Sequence, residues 1–163
     1  MAIRSLTSAG HETNGMIERL HGQLVYLDAN VFIYALEDHP DFSRPARELF
    51  GALNAGTIRG LTSELTLAEV LVLPLRQNKH ELVAAHEKLL STKTIAALPV
   101  TRSVLREAAQ IRAATGQKLP DSIHAATACL AHCTAIVSQD MQLSAPGLKS
   151  VSLAELISPG PNS

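Results

Sequence analysis

The stretch LVYLDANVFIYALE, residues 24–37, joins a predicted strand to a predicted helix without a loop between them. Residues 24–29 are a short apolar run, which is typical of a strand buried on both faces of a parallel sheet. Residues 30–37 carry apolar side chains in a pattern that suits a helix. Asp28 lies near the end of the strand, where a charge that follows apolar residues is costly unless it is solvated or paired.

Strands and helices alternate along the rest of the chain. We predict further strands at 58–63, 95–100, 134–139 and 148–153, and helices at 43–56, 64–77, 80–92, 102–116 and 119–133, followed by a short C-terminal turn. Ser43 is expected to cap the first of these helices, Gly116 to end another, and Pro74 to kink or end the helix that contains it. Alternation of this kind predicts a three-layer α/β/α sandwich with a central, mostly parallel sheet.

Length and composition are those of a single globular domain. Of the 163 residues, 46% are hydrophobic and 18% are charged, which is typical of a folded chain rather than a disordered one. We predict a flexible N-terminal extension over residues 1–22, one domain over residues 23–157 and a tail over residues 158–163. No apolar run reaches the roughly 20 residues of a membrane span, and the N-terminus lacks the apolar core of a signal peptide. We therefore expect a cytoplasmic protein.

Charge and aromatic content limit how the chain could bind a nucleic acid. The formal net charge is −1, so a nucleic acid would have to be held by a local basic patch or through metal ions. Aromatic residues make up 3% of the chain and Trp is absent from the sequence, which argues against the base-stacking surfaces of single-strand-binding proteins.

Four acids are predicted to converge at one end of the sheet. Asp28 and Asp140 each close an apolar strand, and in open parallel sheets ligands bind beyond the carboxyl ends of the strands. Glu69 lies in an apolar helix about two turns after the second strand, and Asp121 lies in the first turn of its helix. Each acid alone could be a helix cap or a solvent-facing residue, and Glu64 is a rival to Glu69.

Such a cluster of carboxylates predicts a divalent cation. Like charges this close raise one another's pKa, so the acids cannot all stay ionised without a counter-ion. Mg²⁺ and Mn²⁺ suit carboxylate and water ligands, whereas Zn²⁺ would favour His or Cys. Two ions about 4 Å apart can activate a water and stabilise the leaving oxygen of a phosphodiester. A nucleic-acid substrate is therefore compatible with a chain that has no net positive charge.

Four segments carry a family resemblance. They are VYLDANVFIYALE (25–37), LTSELTLAEVL (61–71), KLPDSIHAATA (118–128) and AIVSQDMQLSAPGLKSV (135–151). In this order they resemble the signature blocks of the PIN-domain family, and in particular its VapC-like toxins, over roughly residues 24–153. The resemblance implies a metal-dependent ribonuclease with a central parallel sheet and an acidic active site, the toxin of a type II toxin–antitoxin pair.

The resemblance also implies residue roles and partners. The four acids that would ligate Mg²⁺ or Mn²⁺ and act in catalysis are Asp28, Glu69, Asp121 and Asp140, and Asn30 and Ser138 would support them from outside the metal shell. The implied partners are an RNA substrate, a second copy of the chain in a homodimer and a small antitoxin whose C-terminal segment plugs the acidic groove. The last block departs from the usual Thr-Asn-Asp followed by an aromatic residue: Ser138 and Gln139 precede Asp140, and Leu143 follows.

Three other functions share some of these features. A phosphatase of the haloacid-dehalogenase type also begins with an aspartate after an apolar strand, but it needs a second aspartate where this chain has Asn30. A PIN-like nuclease outside toxin–antitoxin systems would use the same acids. A PIN-like binding module without catalysis would have no reason to keep four costly charges clustered.

Four residues near the third acid are interpreted as structural. His124, three residues after Asp121, is predicted to be packed or hydrogen-bonded rather than catalytic. Cys129 and Cys133 are interpreted as buried reduced thiols that act as small apolar residues. His132 has no second Cys/His pair at the spacing of a zinc site.

Overall fold

The central sheet consists of five parallel strands. The computed structural model describes residues 15–157. Its strands are β1 Leu24–Leu27, β2 Arg59–Ser63, β3 Ile95–Leu98, β4 Ala135–Val137 and β5 Lys149–Val151. The order across the sheet is β3-β2-β1-β4-β5, and every neighbouring pair is parallel. Each strand lies within a predicted range and is shorter than predicted, and the parallel sheet is confirmed.

The strand order creates a crevice beside the central strand. From β1 the chain passes to β2 and β3 on one side, and it returns to β4 and β5 on the other side. The direction of progress therefore reverses between β1 and β4, which is where open α/β sheets bind their ligands. The register pairs Leu27 with Val137, so β1 and β4 end at the same level.

Helices cover both faces of this sheet. They are α1 Met16–Arg19, α2 Ala29–Leu36, α3 Ser43–Asn54, α4 Leu65–Arg76, α5 His80–Leu90, α6 Arg102–Thr115, α7 Leu119–Leu130 and α8 Leu153–Ile157. Successive side chains of β1 point to opposite faces: Val25 and Leu27 join one apolar core, and Tyr26 joins a second. A core on each face of one sheet confirms the predicted three-layer α/β/α sandwich.

The packed part of the chain begins before residue 23. Leu20 directly follows α1, and it is 2% exposed and belongs to the core, against which Ile17 also packs. The N–H of Gly22 donates to the Thr57 carbonyl at 2.7 Å. Residues 15–22 of the predicted extension are thus held against the domain by apolar side chains. Residues 1–14 and the predicted tail, residues 158–163, lie outside the described part of the chain.

Ser43 does not cap its helix, and that prediction is wrong. Ser43 is itself the first residue of α3. Its hydroxyl accepts from the His39 N–H at 2.6 Å and donates to the Glu37 carbonyl at 2.6 Å. The hydroxyl therefore stabilises the preceding loop instead of the free N–H groups of the helix, a competing use that is common for Ser near a helix start.

The remaining helix ends follow local chemistry. Gly116 ends α6 in the left-handed conformation with φ 73°, as predicted. Pro74 lies in the last turn of α4, which continues to Arg76 before it ends. The last strand stops earlier than predicted, because Ser152 and Glu155 form a reciprocal capping box at the start of α8. The Ser152 N–H donates to Glu155 Oε2 at 2.7 Å. In return, the Glu155 N–H donates to Ser152 Oγ at 3.4 Å.

Gly60 of β2 lies where Leu53 of α3 packs against the sheet. A Cβ atom at this position would be 2.7 Å from Leu53 Cδ2 and 3.3 Å from Leu27 Cδ1, and both leucines are buried. Because overpacking forces buried side chains off their rotamers, Gly60→Ala should lower the free energy of unfolding by about 1–3 kcal/mol. Urea denaturation at equilibrium measures the change.

Gly51→Ala is the matched control for that substitution. Gly51 is on the exposed face of α3, and a Cβ there would meet nothing within 4 Å. Removing a glycine from a helix interior should raise the free energy of unfolding by up to about 1 kcal/mol. Equal stabilities of the two variants would mean that Leu53 moves aside without cost, contrary to the expectation.

Candidate active site

Asp28 stands at the carboxyl end of the central strand. It is 6% exposed, and it also caps α2, since its Oδ1 accepts from the Ala29 N–H at 2.8 Å. Its Oδ2 accepts from the Ser138 hydroxyl at 2.6 Å. Both carboxylate oxygens are therefore held, one by the following helix and one by the end of β4. The helix-cap interpretation and the site interpretation of Asp28 are compatible.

Ser138 links the two acids that follow strands. Besides donating to Asp28, its Oγ accepts from the Asp140 N–H at 2.9 Å. The Asp140 carboxylate accepts from the Gln142 N–H at 2.9 Å and is only partly buried. Through this hydroxyl the loop after β4 is bonded to the end of β1, and the supporting role of Ser138 at a metal site stays a prediction.

Asp121 faces the same acids from the first turn of α7. It is partly buried. Its pKa is raised by burial first, and then by the charges of Asp140 and Asp28. At an isolated helix N-terminus the dipole would favour the charged form, but burial and the charges of the neighbouring acids together raise the pKa of Asp121. Asp121 therefore belongs to the same electrostatic cluster as the acids at the strand ends.

Glu69 reaches the cluster through a histidine. Its Oε1 accepts a hydrogen bond from Nε2 of His124, and the same Nε2 lies 3.8 Å from Asp28 Oδ1. On the other side of the ring, Nδ1 is 2.5 Å from the hydroxyl of Tyr26. His124 is fully buried and hydrogen-bonded, in agreement with its interpretation from the sequence. It lies, however, between two of the four acids rather than away from them.

His124 is the site residue that sequence reasoning left outside the acid set. The available signal was its spacing, because a residue three positions after Asp121 lies on the same face of α7. Asn30 is partly buried in the first turn of α2, two residues after Asp28. Its supporting role at the site stays a prediction.

The pKa shifts of Asp28 and His124 reflect an excess of negative charge in the site. Burial raises the pKa of Asp28, and the charge of His124 and the hydrogen bonds from Ser138 and Ala29 offset this only in part. Burial alone would lower the pKa of His124, but the hydrogen bond to Glu69 and the charges of the neighbouring acids outweigh it and raise that pKa. One imidazole thus faces several carboxylates, an imbalance that a divalent cation would relieve.

The carboxylates of the site are chemically suited to a hard divalent cation, but their positions do not form a ready-made metal site. Carboxylate oxygens are the ligands that Mg²⁺ and Mn²⁺ prefer. Within residues 15–157, however, no three His, Cys, Asp or Glu side chains are arranged as a ready-made metal site. A cation would therefore be held by one or two of these carboxylates with waters in the other positions, or by more of them after their side chains rotate toward one another. The same finding leaves His132 and the two cysteines without a zinc site among the described residues.

Both cysteines are free thiols. Cys133 is buried, which raises the pKa of its thiol to about 12. Cys129 is only partly buried, and its Sγ lies 3.6 Å from the Pro146 carbonyl. Since the thiolate is the reactive form, neither residue is activated, and the predicted role as small apolar residues holds best for Cys133.

None of the helices in the described part of the chain is long and apolar enough to cross a membrane.

The raised pKa values make the metal-free protein sensitive to pH. A group whose pKa is higher in the folded chain than in the unfolded chain stabilises the fold below its unfolded pKa, here 3.8 for Asp28 and Asp121 and 6.5 for His124. That contribution is lost as the pH rises through the folded pKa. His86, whose pKa is lowered by burial, has the opposite sign and costs stability below pH 6.5.

Asp121→Asn should therefore melt at a higher temperature than the parent protein in EDTA at about pH 8, because it removes one charge of the cluster. The difference should shrink toward about pH 4, where the carboxyl of the parent becomes protonated. Thermal unfolding followed by circular dichroism measures both values. Asp41→Asn, at an exposed acid outside the cluster, is the control, and a lower melting temperature of Asp121→Asn at the higher pH would contradict the charge cluster.

Comparisons with known proteins agree with this geometry. The family model described as PIN domain matches residues 25–147, whereas no curated protein matches the chain. A toxin–antitoxin complex from Klebsiella pneumoniae is 23% identical, with a TM-score of 0.62 over 80% of this chain and 98% of that chain. VapBC2 from Rickettsia felis, bound to a fragment of its promoter DNA, is 16% identical, with a TM-score of 0.62 over 79% and 98%.

A third solved structure has the same fold. The VapC20 toxin of Mycobacterium tuberculosis, which cleaves the sarcin–ricin loop, is 14% identical, with a TM-score of 0.60 over 71% of this chain and 91% of that chain. At these identities the solved structures show a shared fold, and it is the fold that carries the acids to the ends of β1 and β4. The family model spans most of the chain, from the first strand to the loop after the fourth. The chain belongs to the PIN-domain family.

Proposed function

We propose that this chain is a Mg²⁺- or Mn²⁺-dependent endoribonuclease and the toxin of a type II toxin–antitoxin pair. The observation that carries the proposal is the convergence of acids beyond β1 and β4, where Asp28 is buried and the pKa of Asp121 is raised by its acidic neighbours. Perturbed carboxylates gathered in a cleft are typical of functional sites. Membership of the PIN-domain family sets aside the haloacid-dehalogenase alternative.

Each residue of the site has a proposed task. The cation would be held by the four acids, Asp28, Glu69, Asp121 and Asp140. Ser138 keeps the Asp28 carboxylate in place through its 2.6 Å hydrogen bond, and Asn30 would orient a carboxylate or a water from the first turn of α2. A divalent cation supplies positive charge to the phosphate and makes a water nucleophilic near neutral pH.

The substrate and partners are proposed by analogy with the solved structures. The Mycobacterium tuberculosis toxin cleaves the sarcin–ricin loop, which supports an RNA substrate for this chain. The Klebsiella pneumoniae structure is a toxin–antitoxin complex, which supports a cognate antitoxin. A homodimer and a cytoplasmic location are further parts of the proposal, and half-exposed apolar side chains on α4, at Val72, Leu73 and Leu75, are compatible with a protein interface.

A PIN-like binding module without catalysis is the second candidate. One observation favours it: no three acidic, His or Cys side chains of residues 15–157 form a ready-made metal site. Titration with Mn²⁺ in a calorimeter separates the two candidates, because a binding module would give no heat of metal binding. The gathering of several acids around Asp28 favours the enzyme, since a module that binds no cation gains nothing from carboxylates that disfavour one another's ionised form.

Asp28→Asn and Asp121→Asn should abolish RNA cleavage. Each removes a carboxylate from the proposed cation site, and loss of about 3 kcal/mol of transition-state stabilisation would lower the rate by at least about 100-fold. The measurement is cleavage of a structured, fluorescently labelled RNA with Mg²⁺ or Mn²⁺, alongside a reaction in EDTA.

Glu64→Gln is the matched control for these substitutions. Glu64 directly precedes α4 and is exposed, so its replacement should leave cleavage within about twofold of the parent rate. Cleavage that persists in Asp28→Asn, or that ignores EDTA, would sink the proposed mechanism.

The toxin assignment has a test of its own. A small DNA-binding protein encoded next to this chain should co-purify with it and suppress RNA cleavage when the two are produced together. Co-expression followed by affinity purification and the cleavage assay measures both effects. An active ribonuclease that no neighbouring gene product inhibits would instead be a PIN nuclease outside toxin–antitoxin systems.

A further inference from the structure

A chain of two hydrogen bonds crosses the buried side of the acidic site. It runs from the hydroxyl of Tyr26 on β1 to Nδ1 of His124 on α7, at 2.5 Å, and from Nε2 of His124 to Oε1 of Glu69 on α4. Tyr26 and His124 are fully buried, whereas 35% of the Glu69 side chain is exposed. The chain therefore connects an acid at the rim of the cleft to the interior of the sheet.

The protons of this chain have a definite order. A phenol is un-ionised near neutral pH, so Tyr26 keeps its proton and can donate it to Nδ1 of the neutral ring. The ring then carries its own hydrogen on Nε2, which faces Glu69. In the doubly protonated ring Nε2 carries a hydrogen as well. His124 is thus a donor to Glu69 in either state of the imidazole.

The geometry distinguishes this bond from ordinary packing of a buried histidine. Glu69 lies on a helix face next to solvent, and a glutamate there has several rotamers available. Only one of its oxygens takes the His124 bond, which leaves the carboxylate a second oxygen for another ligand. The same nitrogen lies 3.8 Å from Asp28 Oδ1, so the imidazole lies between Glu69 and the acid at the end of β1.

We propose that His124 is a positioning residue that holds the Glu69 carboxylate at the acidic cluster, and that Tyr26 fixes the orientation of its ring. The role deepens the proposed function, since it concerns the same cation site. Hydrogen bonds from outside the metal shell orient the ligating groups in metalloproteins, and their loss commonly lowers metal affinity by about 10- to 100-fold.

Mn²⁺ affinity, measured by calorimetry, tests the positioning role without any RNA. His124→Leu should weaken Mn²⁺ binding by about 10- to 100-fold. His124→Gln, whose side-chain N–H group can still donate to Glu69, should keep the affinity within several-fold of the parent, and Tyr26→Phe should give an intermediate loss. Thr127→Val is the control for a change inside α7, because the Thr127 hydroxyl is buried and, among residues 15–157, donates within its own helix to the Ile123 carbonyl.

A double substitution shows whether His124 acts through Glu69. Glu69→Gln should weaken Mn²⁺ binding by itself, and adding His124→Leu to it should produce little further loss. A histidine that merely supported the fold would lower the affinity by the same factor in both backgrounds. Equal losses in the two backgrounds, or unchanged affinity in His124→Leu, would overturn the positioning role.

A measurement by NMR tests the positioning role of His124 independently of the proposed ribonuclease function. In the metal-free protein the Nε2–H signal of His124, observed by nitrogen-15 NMR, should move in Glu69→Gln and stay in place in Thr127→Val. A signal that does not respond to Glu69→Gln would overturn the inference even if RNA is cleaved. If the parent chain bound Mn²⁺ but cleaved no RNA, the ribonuclease proposal would fall and the positioning of Glu69 would stand.

Discussion

Asp28 directly follows β1 and is hydrogen-bonded to the end of the neighbouring strand β4. The rest of the site is arranged around it. Its N–H donates to the Val137 carbonyl at 3.1 Å, continuing the ladder between β1 and β4, and its carboxylate accepts from the Ser138 hydroxyl at 2.6 Å. These bonds need the two strands to end at the same level, which the pairing of Leu27 with Val137 provides. A shift of one residue in this register would turn every side chain of the shifted strand to the opposite face and would separate Asp28 from Ser138.

The site concentrates charge at a place where the fold would be more stable without it. Burial raises the pKa of Asp28, and burial together with acidic neighbours raises that of Asp121. Each shift means that the ionised form is disfavoured in the folded protein. The single imidazole of His124 offsets only part of this charge. Local destabilisation of this kind, inside an otherwise well-packed sandwich, is typical of functional sites.

Much of this architecture was predictable from the sequence. The five strands, the long helices and the all-parallel arrangement follow from apolar runs and their spacing. The end of α6 was predictable from Gly116, because a helix commonly ends at a residue with positive φ, which glycine adopts without strain. The failures were local competitions. Ser43 bonds to the preceding loop instead of capping α3, and the capping box of Ser152 and Glu155 shortens the last strand. Both outcomes depend on which of two nearby partners a side chain selects, and a single sequence contains little information on that choice.

The sequence by itself determined the order of the elements and the candidate acids at the ends of strands and helices, because periodicity and the placement of charge are properties of neighbouring residues. Only the tertiary structure decided the partners of those acids. Ser138 lies 110 positions from Asp28, and His124 lies 55 positions from Glu69. A hydrogen bond between residues so far apart leaves no local pattern, since it exists only once the sheet order has brought β1 beside β4 and the helices have packed against it.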